Sequence, residues 1–310
     1  MIADIEASSP TWSTVTPGDM VDELQDLPLA PKVLPRLKRL LSDANSTMHE
    51  IAMLIRLDPA IAARVLQVAN SAYYSKGVRC FTVYDAVNRV GFDQVYELVA
   101  YAVASQVLVR PLEVYGIEAD DLWKSSVCCA LAAEVLAERT EQDRDVAYTA
   151  GLLHSVGMVV IDGWALKNGC NLKLVDAGFP RQANESEAAA FGFTHAEAGA
   201  ALLERWDFPP SISEPVRWQQ RPAAAAGHVH MTSLLYTARW LRSTVCNGAF
   251  ATPGVPAAVL QLLALDNSRL HKIAGEVEGR LAAVSSLLED GSDGKAPARP
   301  GQRFPKEARG

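Results

Sequence analysis

Residues 58–74 read DPAIAARVLQVANSAYY, and this stretch sets the helical character of the chain. Asp58 is a side chain suited to cap a helix, and Pro59 suits the first helical position, where its missing N–H is not needed. The apolar residues that follow recur every three or four positions, as one face of an α-helix requires. They are Ile61, Val65, Val68 and Ala72. The pattern predicts an amphipathic helix that opens at the Asp-Pro pair.

The same period continues in both directions along the chain. Either Ser46 or Thr47 begins the next segment, with Glu50 placed for a capping box, which predicts a helix start. Further helices are predicted over residues 93–110, 122–139, 144–164, 194–206, 211–219, 231–246, 254–265 and 267–288. No segment alternates convincingly between apolar and polar residues, and 79–83 is predicted to be an extended link. We therefore predict an all-α fold.

The composition is that of a globular chain, and its charge limits the classes of partner that the chain can bind. Of 310 residues, 49% are hydrophobic and 21% charged, which excludes wholesale disorder. The net charge is −7, and the tail from 291 to 310 is itself basic, so the first 290 residues carry −10. An acidic body argues against coating nucleic acid or an anionic membrane. We expect neither as a partner.

Cysteine usage and the apolar stretches predict a cytoplasmic location. The five cysteines include no C-x-x-C pair and are odd in number, which favours reduced thiols. The first ten residues lack the basic and apolar regions of a signal peptide. The longest apolar stretch, 98–109, is too short for a membrane span.

Changes of composition predict the domain organisation. Residues 1–19 and the basic tail 291–310 are rich in small, Pro or charged residues and are predicted to be disordered. Between them, a shift near 111–121 separates an N-terminal helical bundle, 20–115, from a C-terminal helical bundle, 118–290, on which it packs.

Several ordered landmarks resemble the HDOD domain, a helical signalling module related to the HD-type phosphohydrolases. They are LPLAP at 27–31, the stretch 58–74, TVYDAVNRVG at 82–91, LWKSS at 122–126, AGLLHSVG at 150–157 and HAEAGAALLERW at 195–206. The resemblance covers residues 20–220. It implies an HDOD-type fold whose second bundle is HD-like.

The resemblance also implies where metal ligands would lie, and this chain departs from that pattern. The position of the first histidine is Ser125, and the His-Asp pair is His154 followed by Ser155. The later His-rich region reads Trp-Gln-Gln, with Gln219 at its centre, so His154 and His195 are the ligands left. A catalytic zinc needs three protein ligands, and Mg²⁺ or Mn²⁺ need carboxylates. We predict a degenerate site without metal, cofactor or catalytic residues.

Each remaining candidate has a structural alternative. His154 either borders a vestigial pocket, beside the small residues Ala147, Ala150 and Gly151, or is a hydrogen-bonded core histidine. His195 follows Thr194 in a capping box, so either packing or ligand binding explains its position. The pair His228 and His230 could share a metal only in an extended segment, and a loop before Met231 is the simpler interpretation.

Three further groups are interpreted as structural. Cys128 and Cys129 are predicted to be core fillers with nothing basic nearby to lower a thiol pKa. Residues 70–74 are either a partner-contacting patch or a helix end anchored by tyrosines. The basic residues Lys32, Arg36, Lys38 and Arg39 are predicted to form the solvated face of a helix.

The sequence leaves three functions open. The preferred one is a non-enzymatic HDOD regulatory protein that binds other signalling proteins; the resemblance implies stress response, motility, virulence or cyclic-dinucleotide pathways. The second is a residual metal-dependent phosphohydrolase that uses His154, His195 and a carboxylate. Candidates for the carboxylate are Asp145, Asp162 and Glu187. The third is a sensor that binds a small molecule or nucleotide in the vestigial pocket.

Overall fold

The structure is a computed structural model that describes residues 12, 14–24, 36–37, 40, 45–75, 77–91, 94–95, 111–170, 172–174, 183–206, 208–247 and 254–289. Its helices are α1 (Pro17–Glu23), α2 (Met48–Ile55), α3 (Pro59–Asn70), α4 (Ala72–Ser75), α5 (Val83–Val90), α6 (Ala119–Thr140), α7 (Arg144–Leu153), α8 (Val156–Lys167), α9 (Ala183–Phe191), α10 (His195–Arg205), α11 (Pro210–Trp218), α12 (Val229–Asn247), α13 (Ala257–Leu262) and α14 (Asn267–Glu289). A short 3-10 turn spans Pro222–Ala224.

The prediction of an all-α fold is confirmed. Within the described ranges there is no β-strand, and the one β-bridge joins Leu112 to Ile117. Thr47 and Glu50 form the predicted capping box at the start of α2, with the Glu50 N–H 3.2 Å from the Thr47 hydroxyl. Asp58 accepts from the N–H of Ile61 at 3.1 Å and caps α3. The two predicted helix caps are therefore present at the positions that the sequence indicates.

Helix α6 is the centre of the core. Its residues from Leu122 to Ala137 are buried on nearly every face except Lys124, and α7, α12 and α14 all pack against it. The N-terminal helices join it at the end of α2, where the Trp123 indole N–H donates to the carbonyl of Leu57 at 2.9 Å. Arg56 also pairs with Glu134 of α6 at 2.8 Å. These contacts fix the N-terminal helices on the central one.

The start of the chain differs from the prediction. Helix α1 begins inside the segment expected to be disordered, because Thr16 and Asp19 form a capping box and Met20 is fully buried. The helix packs against α8 and α10, so it lies on the C-terminal half. The disorder prediction is therefore wrong for residues 14–19, and the division near 115–118 stays a prediction.

Two other predictions are corrected and several fall outside the described residues. The helix predicted over 144–164 is two helices, α7 and α8, and α9 was not predicted at all. The predicted tail 291–310 lies outside the described residues, as do Lys32, Lys38 and Arg39 and most of the helix predicted over 93–110.

One described stretch is long and apolar enough to cross a membrane by length and composition. It is Arg144–Lys167, which comprises α7 and α8. Its apolar window is entirely buried within the protein, as in the core helix of a globular domain. The stretch is therefore explained by packing.

Candidate functional site

The five predicted site positions lie on the inner surfaces of neighbouring helices. Ser125 is in α6, His154 and Ser155 form the junction between α7 and α8, His195 opens α10, and Gln219 follows α11. All five residues are buried. The five residues are far apart along the sequence, and the packing of the helices brings them together.

The junction between α7 and α8 is held by side-chain hydrogen bonds. His154 Nδ1 donates to the carbonyl of Gly151 at 2.8 Å, and Gln219 Nε2 donates to the carbonyl of His154 at the same distance. The hydroxyls of Ser126 and Ser155 lie 3.1 Å apart. Carbonyls in the last turn of a helix lack partners within it, so these donors satisfy carbonyls at the break.

The small residues beside His154 serve close packing and do not leave a hollow. A Cβ added to Gly151 would lie 2.8 Å from the Cα of Ala130 and from the carbonyl oxygen of Cys129. Ala147 and Ala150 are fully buried on the same helix. The backbone of α6 therefore fills the space that the sequence pattern left open, and His154 matches the interpretation as a hydrogen-bonded core histidine.

A second close approach places α10 against the junction. A Cβ added to Gly157 would lie 1.8 Å from the carbonyl oxygen of His195 and 2.5 Å from the N–H nitrogen of Gly199. No side chain larger than a hydrogen atom fits there. Glycine therefore lets the first turn of α10 contact the first turn of α8, and His195 is carried to within electrostatic reach of His154.

Two arginines from α12, which the sequence interpretation missed, reach the same site. Arg242 Nη1 donates to the hydroxyl of Ser125 at 2.7 Å, and Arg239 Nη1 donates to the backbone carbonyl of Gln219 at 3.0 Å. Both side chains are half-buried. A signal existed in the sequence, because two arginines three positions apart within an apolar helix share one face.

The arginines alter the charge state of the site. Burial, followed by the charges of Arg242 and Arg239, holds the pKa of His154 well below its ordinary value of 6.5. Burial and the neighbouring Arg242 lower the pKa of Arg239 to about 10. At neutral pH the imidazole is therefore uncharged and both guanidinium groups are cationic.

This arrangement predicts a loss of stability in acid. The unfolded chain binds a proton at His154 below about pH 6.5, whereas the folded chain does not, so stability is complete above that pH and falls as pH decreases. The expected slope from this residue approaches about 1.4 kcal/mol per pH unit. Urea unfolding at pH 7, 6 and 5 measures it.

The matched variant is His154→Asn, whose amide can still donate to Gly151 but does not titrate. We expect a flatter pH dependence for this variant than for the wild type, whereas His271→Asn, at an exposed position, should keep the wild-type slope. Equal slopes in all three proteins would contradict the assignment.

His195 is held by a buried carboxylate. Glu187, in α9, accepts from the backbone N–H of His195 at 2.8 Å and from its Nδ1 at 2.9 Å. The Tyr115 hydroxyl donates to the same carboxylate at 2.7 Å, and burial followed by the Glu187 charge raises the pKa of Tyr115 well above 10. A carboxylate on Nδ1 is the usual way in which a protein orients an imidazole.

The other two suggested carboxylates have different contacts. Asp162 accepts from the backbone N–H of Val114 at 2.9 Å, and Asp145 is largely exposed and lies 3.6 Å from Arg56. Across the part of the chain that the structure describes, no three His, Cys, Asp or Glu side chains are grouped so that they could hold a metal ion.

The structure resolves the remaining structural alternatives. Helix α12 begins at Val229, so His230 is helical and the predicted loop before Met231 is shorter than expected. The Asn70 side chain bonds both the N–H and the carbonyl of Cys80, and the Tyr74 hydroxyl donates to Gln94 at 2.6 Å. These contacts are those of an anchored helix end.

The prediction that nothing basic lies near Cys128 and Cys129 is wrong. Arg242 acts on both thiols across the contact between α6 and α12, and Cys246 of α12 is hydrogen-bonded to Cys128. That hydrogen bond, with the charges of Arg242 and Lys124, lowers the pKa of Cys246 to about 7 in spite of burial. The sequence could not place a residue from α12 beside α6.

We expect Cys246 to react faster with iodoacetamide at pH 7.5 than Cys170. Both thiols are half-buried, so the reagent reaches them to a similar extent. Burial raises the pKa of Cys170, so a smaller fraction of Cys170 than of Cys246 is present as the reactive thiolate. Peptide mass spectrometry measures the rates, and Cys128→Ala should slow the alkylation of Cys246. Equal rates at the two cysteines would refute the assignment.

The fold and the site together define an all-α protein with a buried polar centre at the meeting point of two helix ends. The sequence model of the HDOD domain matches residues 27–222, and the chain belongs to the HDOD family. This confirms the resemblance seen in the sequence.

Individual proteins resemble the chain in sequence or in fold. The chain is 28% identical over 212 residues to an uncharacterized protein of Treponema pallidum, a match that covers 67% of this chain and 40% of that protein. The structure of the MmoQ response regulator from Methylococcus capsulatus superposes with a TM-score of 0.68 at 19% identity, covering 81% of this chain and 98% of the other. A virulence factor from Campylobacter jejuni gives 0.61 at 19% identity, covering 86% and 100%.

Proposed function

We propose that this chain is a non-enzymatic regulatory protein of the bacterial cytoplasm that acts in signal transduction by binding other signalling proteins. One observation carries the proposal: a guanidinium group, that of Arg242, donates to Ser125, the position where the family resemblance places a first metal ligand. A cation of the protein itself stands beside a site that in the related hydrolases would hold metal.

The donor set supports the proposal. The Nδ1 atoms of His154 and His195 are engaged by a carbonyl and by Glu187, so each ring has one nitrogen left. Two imidazole nitrogens do not reach the three ligands of a catalytic zinc site, and the serine hydroxyl and glutamine amide groups supply no charge to Mg²⁺ or Mn²⁺. Two neighbouring guanidinium charges further oppose the binding of a dication.

Elemental analysis of the purified chain and a hydrolysis assay test the absence of a metal enzyme. We expect less than about a tenth of an equivalent of zinc, manganese, iron or cobalt per chain, and no metal-dependent cleavage of nucleotides or phosphodiesters. Stoichiometric metal with turnover that chelation abolishes would establish the alternative, a residual phosphohydrolase.

A cleft between the two halves of the chain is the proposed contact surface. It has a volume of about 470 Å³ and is lined by Arg79 from the N-terminal half and by residues of α10 and α11, among them Glu204 and Trp218. Arg79 Nη1 reaches the carbonyl of Phe208 at 3.3 Å across the cleft. The acidic body of the protein favours a partner with a basic surface.

Parallel affinity captures test the surface. Wild-type chain should enrich signalling proteins that are lost by roughly tenfold or more on Glu204→Lys, because a positive charge in the cleft repels a partner with a basic surface. Glu185→Lys is the matched control, since that glutamate is exposed on α9 and does not line the cleft. If all three proteins enriched the same partners equally, the proposed contact surface would be wrong. If the wild-type chain enriched no signalling protein, the proposed function would be wrong.

A further inference from the structure

Three cysteines meet at the contact between α6 and α12. Cys128 and Cys129 of α6 are fully buried, whereas Cys246 of α12 is half-buried. The proposed function uses none of them. A half-buried thiol can be reached by a small reagent from solvent, and a buried thiol beside it can react only with what the first one has become. The cluster therefore has the unequal access that a two-step oxidation requires.

The two helices lie side by side where the cysteines meet. Arg242 of α12 donates to Ser125 of α6 at 2.7 Å, and Cys246 is one turn further along α12. Three residues of α6 act on the Cys246 thiol, namely Asp121, Lys124 and Cys128. Positions separated by three and four residues share one face of a helix. Cys246 therefore lies against this face of α6, one turn from the hydrogen bond between Arg242 and Ser125.

The two facing thiols differ in their ionisation. Cys128 is hydrogen-bonded to Cys246, and this bond, together with burial, raises the pKa of Cys128. The same hydrogen bond and the charges of Arg242 and Lys124 lower the pKa of Cys246 to about 7, against the opposing effects of burial and Asp121. At neutral pH much of Cys246 is thus the nucleophilic thiolate, while Cys128 keeps its proton.

Cys129 provides an internal comparison. It follows Cys128 directly in α6 and is equally buried. Burial raises its pKa to about 12, and Cys246 acts on it through charge. Of the two adjacent thiols on α6, Cys128 is the one hydrogen-bonded to Cys246. The contacts therefore single out one pair.

We propose that Cys246 and Cys128 form a reversible disulfide bond between α12 and α6 in the presence of a hydroperoxide. The Cys246 sulfur attacks the peroxide, so that an S–O bond forms, the O–O bond breaks, and hydroxide or alkoxide leaves. Sulfur is oxidised to a sulfenic acid and the peroxide is reduced. The Cys128 sulfur then attacks the Cys246 sulfur, the S–S bond forms and the S–O bond breaks, and the Cys128 proton leaves with the hydroxide as water.

The position of Cys246 allows the two sulfur atoms to approach. An S–S bond of about 2.05 Å is shorter than a hydrogen-bonded contact between two thiols, so the sulfur atoms must move together. Cys246 is the penultimate residue of α12, which ends at Asn247. Because helix ends fray more readily than helix interiors, the last turn of α12 can take up this movement while the central helix α6 stays in place.

Peptide mapping of the whole chain after treatment with hydrogen peroxide tests the bond. Trypsin releases Cys128 and Cys246 in separate peptides, 125–139 and 243–269. We expect these peptides to be linked, with a mass lower than their sum by two hydrogen atoms, and to separate on addition of dithiothreitol. Cys170 should stay reduced, because burial raises its pKa. Unlinked peptides, or Cys246 joined to Cys170 or to a second chain, would overturn the proposal.

Two adjacent variants identify the partner of Cys246. Cys129→Ala should keep the linked peptides, whereas Cys128→Ala should lose them. In Cys128→Ala the sulfenic acid at Cys246, trapped with dimedone, should exceed that of the wild type by roughly fivefold or more, because no neighbouring thiol consumes it. A link that persists in Cys128→Ala and is lost in Cys129→Ala would contradict the assignment.

The test remains decisive if one variant is unstable. Circular dichroism shows whether each variant folds. If Cys128→Ala does not fold, Cys129→Ala still decides, because Cys128 is then the sole cysteine of peptide 125–139 and any link to that peptide involves it. The loss of the link in a folded Cys129→Ala variant would refute the pairing.

Discussion

Replacing Gly157 by alanine is expected to destabilise the protein by about 3 kcal/mol or more. The added Cβ would lie 1.8 Å from the carbonyl oxygen of His195, and that contact is with backbone, which no side-chain rotation can relieve. Helices α8 and α10 would have to separate. The measurement is the urea midpoint of unfolding, together with circular dichroism to show whether the chain folds.

The control is a glycine in open space. A Cβ at Gly275, inside α14, meets nothing within 4 Å, and alanine favours a helix over glycine by about 1 kcal/mol. Gly275→Ala should therefore stabilise the protein slightly. If the two variants changed the midpoint in the same direction and by similar amounts, the close approach of α8 to α10 would be wrong.

The second large effect is expected for Glu187→Ala, which should cost about 3 to 5 kcal/mol. The carboxylate is fully buried and accepts from the Tyr115 hydroxyl and from two nitrogens of His195. Removing it leaves three buried donors without an acceptor and a cavity as well. Urea unfolding at pH 7 measures the loss.

Two variants control for a general effect on the helix and for the loss of side-chain volume. Glu185 is exposed on the same helix, so Glu185→Ala should change the free energy of unfolding by about 0.5 kcal/mol or less. Glu187→Gln retains the size and one acceptor oxygen, so its loss should be intermediate. A Glu187→Ala variant as stable as Glu185→Ala would show that the Tyr115–Glu187–His195 contacts do not form.

Much of the molecule was determined by the sequence alone. Helix period and caps act over a few residues, so the stretch from Asp58 to Tyr74 could be interpreted without knowing what it packs against. The ordered landmarks predicted the family. The residue types at Ser125 and Ser155 predicted a site without metal, because a neutral hydroxyl is a poor metal ligand in comparison with an imidazole or a carboxylate.

The tertiary structure alone decided which side chains meet at those positions. Arg242 and Ser125 are 117 positions apart, and Tyr115 and Glu187 are 72 apart, so no local pattern could pair them. The contact at the break was also hidden, because the side chain that donates to the His154 carbonyl, Gln219, is 65 residues away. Periodicity reports which face of a helix is buried, whereas the partner on that face is set by how helices distant in the chain pack together.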